Sequence, residues 1–259
     1  IRILTGRRMN KAPLISGVVE GFYGRPWSPA QRTNLVNRLS KLGLNTYLYA
    51  PKDDLRHRAR WREFYPTAEA EELRGLVAAC DDAGINFIYA LAPGLDPAFN
   101  TTDGHAALAR KAGHLAELGI RHFAVLFDDI VPAPASGNLG VTEHDAAPQV
   151  EFTHALLAWQ RRLAPGATLL FCPTPYCGRM AGRAADSGYL RHLGTHLDPA
   201  VHVMWTGPEI VSETIAPEDL RDVSDVLRRP PLIWDNLFAN DYDLRRLYLG
   251  PYAGRPSSL

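Results

Sequence analysis

Three junctions in this chain repeat one another: "LGLNTYLYAP" from Leu42, "AGINFIYALAPG" from Ala83 and "LGIRHFAVLFDD" from Leu118. Each leaves an amphipathic segment, passes a glycine and turns into an apolar run. Gly43, Gly84 and Gly119 stand where a helix closes through a left-handed residue, a conformation open to glycine and costly for other side chains. The segments before them have helical period. Ser28-Pro29-Ala30-Gln31 supplies an N-cap, a proline at the first helical position and the glutamine of a capping box, and Leu35, Leu39 and Leu42 follow on one face. Thr67 is the expected cap of the next helix, which turns Leu73, Leu76, Val77 and Cys80 inward; Leu108, Ala112, Leu115 and Leu118 repeat the pattern.

Four further runs read as strands: "LISGVVEG" at 14–21, "TLLFCPT" at 168–174, "VHVMWTG" at 201–207 and "PLIWDN" at 231–236. That makes seven strands at intervals of roughly 30 to 45 residues, the length of a βα unit. Near-continuous apolar strands alternating with helices predict a parallel sheet covered on both faces. Periodicity leaves both a barrel and an open doubly wound sheet in play, although 259 residues is close to the size of one α/β barrel. Residues 132–148, rich in Pro, Ala and Gly, are expected to form one long loop after the fourth strand, and no linker divides the chain.

The net charge is zero and there is no basic block, which argues against nucleic-acid and membrane-surface partners. No apolar stretch reaches the ~18 residues of a membrane span, and residues 1–14 lack the apolar centre of a signal peptide, so a cytoplasmic location is expected. Three cysteines, Cys80, Cys172 and Cys177, form neither a disulfide framework nor a zinc pattern, and Cys80 falls on an apolar helix face.

The chemistry collects where the strands end. The first strand leads into Glu20-Gly21-Phe22-Tyr23-Gly24, the second into Pro51-Lys52-Asp53-Asp54 and the third into Pro93-Gly94-Leu95-Asp96. The fourth stops on Asp128-Asp129, the fifth on Pro173-Thr174-Pro175-Tyr176 and the sixth on Trp205-Thr206-Gly207. The seventh gives Trp234-Asp235-Asn236, with Asn240-Asp241-Tyr242-Asp243 beyond it. In a βα barrel these ends converge on one rim. Aromatics mixed with Asp, Asn and Lys suit a sugar, whose faces stack and whose hydroxyls need hydrogen-bond partners.

The aspartate pairs differ in setting. Asp81-Asp82, in a last helical turn, reads as a solvated face; Asp53-Asp54, followed by Arg56, Arg58, Arg60 and Arg62, reads as an ion-paired loop. Asp128-Asp129 ends a core strand with no such neighbours. Catalysis, metal binding and a structural cap are the readings open to it, and a metal would lack a His-rich third ligand set. Mutual repulsion would raise one of the two pKa values, leaving a charged acceptor beside a proton donor, as glycosidic cleavage needs. Neighbours in sequence do not readily straddle a sugar as acid and opposite-face nucleophile, which favours a nucleophile supplied by the substrate.

Nine segments, "GVVEGFYGRPWS", "YAPKDD" with "WREFYP", "YALAPGLD", "LFDDI", "FCPTPYCG", "WTGPEIVS", "WDN", "NDYD" and "LGPYAGR", together resemble glycoside hydrolase family 84, the O-GlcNAcase family, whose members have also been labelled hyaluronidases. The resemblance runs in order from Gly17 to Arg255. It implies a TIM (β/α)8-type barrel, a catalytic unit over residues 15–255 between an extension at 1–14 and a tail at 256–259, and no cofactor. It further implies retaining removal of β-linked N-acetylglucosamine through an oxazoline formed by the substrate's own acetamido group.

On that resemblance Asp128 would orient the acetamido group, and Asp129 would be the general acid and then the base. Gly21, Phe22, Tyr23, Lys52, Asn236 and Asp241 would contact the sugar, and Cys172, Tyr176 and Trp234 would line the acetamido pocket. The partner would be a GlcNAc-bearing glycoprotein or glycan, and a homo-oligomer is compatible with this reading. Two departures stand out. Family members often carry Glu where this chain has Pro175, which stiffens the loop before Tyr176. Seven strands are visible where the family has eight, so the eighth is expected to be missing and a sheet edge open. The rival readings are a non-catalytic GlcNAc-binding protein or inactive fragment, a glycan-directed hexosaminidase or hyaluronidase, and a metal-dependent hydrolase.

Overall fold

A computed structural model describes residues 14–132, 136–243, 245 and 247–256. Most of the N-terminal extension (1–13) and the end of the tail (257–259) lie outside the described residues. The elements alternate along the chain. In order they are β1 (Gly17–Glu20), α1 (Pro29–Lys41), β2 (Thr46–Tyr49), α2 (Thr67–Asp82), β3 (Asn86–Leu91), α3 (Thr102–Glu117) and β4 (His122–Leu126). Then follow α4 (Glu143–Leu163), β5 (Leu169–Cys172), the short α5 (Gly178–Ala181), α6 (Gly188–His196), β6 (Val201–Trp205), α7 (Pro217–Leu227) and β7 (Leu232–Ile233).

The strands form one parallel sheet in sequence order, β1 to β7. Strict alternation along them builds two cores. Tyr47, Phe87, Phe123, Leu169 and Val203 face the helices. Their neighbours Leu48, Ile88, Ala124, Leu170 and Met204 gather on the other face into a second, smaller cluster. Among the described residues no helix contributes to that inner cluster apart from Met180 of the short α5, so the sheet packs its concave face on itself. This settles the choice that periodicity left open: the fold is a curled half-barrel of TIM type rather than a doubly wound sheet. Among the described residues no eighth strand pairs with the outer edge of β1 or β7.

The helix ends follow the expected chemistry in most places. Ser28 caps α1 with its capping box intact, and Gly43, Gly84 and Gly119 have φ of 71°, 71° and 96°. Cys80 is buried, and burial together with Asp81 pushes its thiol up to about 12, as fits an inert packing residue.

Three expectations need correction. Leu42 lies past the last turn of α1 and is 74% exposed, so Val36 and Leu39 carry that face instead. Thr67 is the first residue of α2; the cap position belongs to Pro66, which offers no side-chain acceptor. The loop after β4 ends at Thr142, because the Thr142 hydroxyl and the Asp145 carboxylate form a capping box that starts α4, with Pro148 carried inside the helix. None of the described helices is long and apolar enough to cross a membrane.

Candidate active site

The rim at the C-terminal ends of the strands is built on buried polar anchors. Glu20, the last residue of β1, is fully buried. It receives a two-pronged bond from Arg32 at 2.9 Å, the Trp27 N–H at 2.9 Å and the Tyr47 hydroxyl. An unpaired buried carboxylate would be expensive, and these partners fix both ends of the loop that carries Gly21, Phe22 and Tyr23. The Lys52 N–H donates to the Phe22 carbonyl at 3.2 Å, which joins this loop to the next one.

That second loop, 51–66, departs from the ion-paired reading. Asp54 accepts hydroxyl hydrogen bonds from Tyr49 (2.8 Å) and Tyr65 (2.5 Å) and the N–H of Arg56 (2.8 Å). The arginines pair elsewhere: Arg56 with Glu69, Arg60 with Glu63, and Arg62 with Asp96 and Asp103. The physical reason is reach: the loop is wound tightly over β2 and β3, and buried phenols rather than guanidinium groups meet the carboxylate. Asp81-Asp82 is exposed, as expected.

At the end of β4 the two aspartates diverge. Asp128 is 8% exposed and pairs with the buried Lys52, whose Nζ also lies 3.9 Å from Asp129. Burial alone would lower the Lys52 pKa, but the two carboxylates outweigh it and hold the ammonium above its ordinary range. The other oxygen of Asp128, Oδ1, is buried and meets no donor among the described residues.

Asp129 has a left-handed backbone, at φ 55°, and its side chain is more exposed than that of Asp128. Its Oδ2 accepts from the Tyr23 hydroxyl at 2.8 Å and its Oδ1 from the Tyr176 hydroxyl at 3.0 Å. Burial first, and then the Asp129 carboxylate, raise both phenol pKa values, so each hydroxyl keeps its proton and donates. Pro175 does not displace Tyr176 from the pair.

The last strand closes onto the first through its loop. Asp241 accepts the Tyr23 N–H at 2.9 Å. Trp234 packs against Gly21 so closely that a Cβ on that glycine would lie 2.6 Å from the indole Cζ2. Cys172 is buried in the inner cluster, which also takes in Tyr176 and has Trp234 packed against it, and burial holds the Cys172 thiol well above the ordinary range. Asn236 points its amide at the Ile210 carbonyl, 2.9 Å away. Ile210 lines, with Asp129, Thr174, Tyr176 and Met180, a cleft of about 390 Å³ beside the acidic pair. A larger open depression, of about 640 Å³, lies along the outer face of α1 between residues such as Asn34 and Lys41 and gathers no part of this cluster.

Lys52, Asp128, Asp129, Tyr23, Tyr176 and Asp241 therefore form one connected network, with Gly21 and Trp234 packed beside it. Phe22 turns away to meet the edge of Trp27, 5.1 Å between centroids, and Asn236 joins only through Ile210. Two supports escaped the sequence reading. Arg58 donates to the Asp129 carbonyl at 3.2 Å. Arg255 grips Asp235 with two bonds of 2.6 and 2.7 Å, and Asp235 sits between Trp234 and Asn236. The arginine clusters were visible, but nothing local told which carboxylate each would meet. Among the described residues no group of three His, Cys, Asp or Glu side chains is placed to hold a metal ion.

A parallel half-barrel with a carboxylate pair, a lysine and two phenols at its C-terminal rim defines an α/β-barrel site equipped for acid–base chemistry. Residues 16–259 match the family described as NAGidase, beta-N-acetylglucosaminidase, and the chain belongs to that family, glycoside hydrolase family 84. It is 46% identical over 256 residues to Protein O-GlcNAcase of Rattus norvegicus and 47% identical over 246 residues to that of Mus musculus. These alignments take in 98% and 95% of this chain but 28% and 26% of the relatives. Among solved structures it resembles an aspartate-to-asparagine mutant of Thermobaculum terrenum O-GlcNAc hydrolase, with a TM-score of 0.81 and 32% identity. That match covers 93% of this chain and 51% of the other. The chain thus spans about a quarter of the length of the curated relatives and about half of the solved one.

Proposed function

We propose that residues 15–255 form the catalytic unit of a retaining β-N-acetylglucosaminidase that removes terminal β-linked GlcNAc from modified proteins by substrate-assisted catalysis. The observation that carries the reading is the unequal setting of the two aspartates. Asp128 is buried and anchored by Lys52, and its Oδ1 meets no donor among the described residues. An amide N–H of the substrate satisfies such an acceptor, and the bond would hold the acetamido carbonyl oxygen against the anomeric carbon.

Asp129 faces the open cleft, where it gives a proton to the glycosidic oxygen as the C–O bond breaks. The acetamido oxygen forms the new bond to the anomeric carbon while the N–H proton passes to Asp128, which yields the oxazoline; Asp128 returns that proton as the ring opens. Asp129, now a carboxylate steadied by Tyr23 and Tyr176, takes a proton from the water that opens the ring. Gly21 and Trp234 shape the wall of the sugar pocket, and Asp241 stands within reach of its hydroxyls. Turnover of an aryl β-N-acetylglucosaminide with retention, inhibition by a thiazoline mimic of the bicyclic intermediate and insensitivity to a chelator are expected. Binding of GlcNAc without turnover would overturn the catalytic reading.

A further inference from the structure

Arg58 touches the site only through the Asp129 main chain and the Tyr23 ring, yet several contacts fix its place. Its neighbour His57 is fully buried. The His57 ring Nδ1 lies 3.2 Å from the Ala90 carbonyl, and the His57 carbonyl accepts the Ala92 N–H at 2.8 Å. The chain entering Arg58 is thereby tied to the end of β3. From that anchor the side chain crosses the rim. Its Nη2 donates to the Asp129 carbonyl at 3.2 Å, and its guanidinium carbon stands 5.6 Å from the centre of the Tyr23 ring.

Asp129 is one of two non-glycine residues with positive φ among the described residues; the other, Arg228, closes α7. Aspartate is among the few L-residues that visit the left-handed region, and there its neighbours decide how firmly the turn is held. Here Arg58 holds the main-chain side of Asp129, while Tyr23 and Tyr176 hold its carboxylate. A flat guanidinium can face the ring and donate to the carbonyl at once, which a lysine ammonium does less well.

We infer that Arg58 is a positioning residue for proton transfer. It keeps the Asp129 backbone in its left-handed turn and, by backing Tyr23, fixes the direction in which Asp129 presents its proton to the leaving oxygen. The inference rests on Asp129 being the general acid.

The test compares full-length Arg58→Met, Arg58→Lys and Asp129→Ala on aryl β-N-acetylglucosaminides graded in leaving-group pKa. Arg58→Met should lose about ten- to a hundred-fold on poor leaving groups, the worth of one bond from a charged donor, and little on a nitrophenyl group. Thiazoline affinity should stay close to wild type, since that mimic needs no proton from Asp129. Arg58→Lys should fold and recover part of the rate on poor leaving groups, so it decides the matter if the methionine variant is unstable. Equal losses across the series in whichever variant folds, beside a sloped series for Asp129→Ala, would overturn the role of Arg58 alone. A flat series for Asp129→Ala would overturn the acid assignment and this inference with it.

Discussion

The N–H of Tyr23, beyond the first strand, donates to the carboxylate of Asp241, beyond the last, at 2.9 Å. β1 and β7 share no ladder, yet their loops meet at the rim, where Gly21 also touches Trp234. The same Tyr23 carries its hydroxyl to Asp129, so one residue joins the two ends of the sheet to the acidic pair.

Replacing Asp241 with alanine should therefore act on rate more than on stability. The bond is exposed, so unfolding by urea should shift by no more than about 1 kcal/mol. Loss of the Tyr23 anchor, and of the sugar contact proposed for Asp241, should lower kcat/KM by ten-fold or more by the same scale of one to two hydrogen bonds. An unchanged kcat/KM would mean that Tyr23 is held adequately by Asp129 alone.

The two aspartates should separate by leaving group. Asp129→Ala should lose roughly 10²- to 10⁴-fold on poor leaving groups, the usual contribution of proton transfer. With a nitrophenyl group its first step should survive and the oxazoline should accumulate. Asp128→Ala should be impaired whatever the leaving group, because the nucleophile itself is misplaced. Rapid-quench kinetics on both variants would reveal the split, and identical profiles would dismiss it.

Gly21→Ala should disturb the pocket without touching the acidic pair. The new Cβ would lie 2.6 Å from Trp234 Cζ2 and 3.0 Å from Val19 Cγ1, so the indole must move. Overpacking of this kind costs about 1–3 kcal/mol of stability. KM should rise more than kcat falls; a loss confined to kcat would place Trp234 away from the sugar.

His57 gives the fold a pH dependence with a definite sign. Burial lowers its pKa to about 3, while the unfolded chain keeps the ordinary value, so between these limits only the unfolded state takes up the proton. Stability from this site is complete above about pH 6.5 and falls, approaching about 1.4 kcal/mol per pH unit, as pH drops below it. Urea midpoints measured down this range should fall more steeply for the wild type than for His57→Gln. Parallel curves would show that His57 is protonated within the fold.

Much of the architecture was legible because it rests on local rules. Glycines at 43, 84 and 119 end their helices in the left-handed region, and each apolar run read as a strand holds one of the seven strands. The rim residues were legible as a set, since each follows a strand, and the resemblance to the family suggested the roles proposed for them. What stayed hidden depends on distance in sequence. Nothing near Asp54 says that it will meet Tyr65 rather than Arg56's guanidinium, and nothing near Arg58 points 71 residues ahead to Asp129. The left-handed turn at Asp129 was equally silent, because aspartate tolerates that conformation without a glycine to announce it.

The meeting of Tyr23 with Asp241 has a mechanical consequence. Six neighbouring strand pairs are zipped by main-chain ladders, while the gap between first and last is bridged at the rim by a hydrogen bond and an aromatic contact. A ligand seated there would lie across the gap and act as a clasp, so that filling the pocket and drawing the two sheet edges together become a single event. Amide exchange should then slow on β1 and β7 when a thiazoline binds, while β3 to β5, already sealed on both sides, keep their protection.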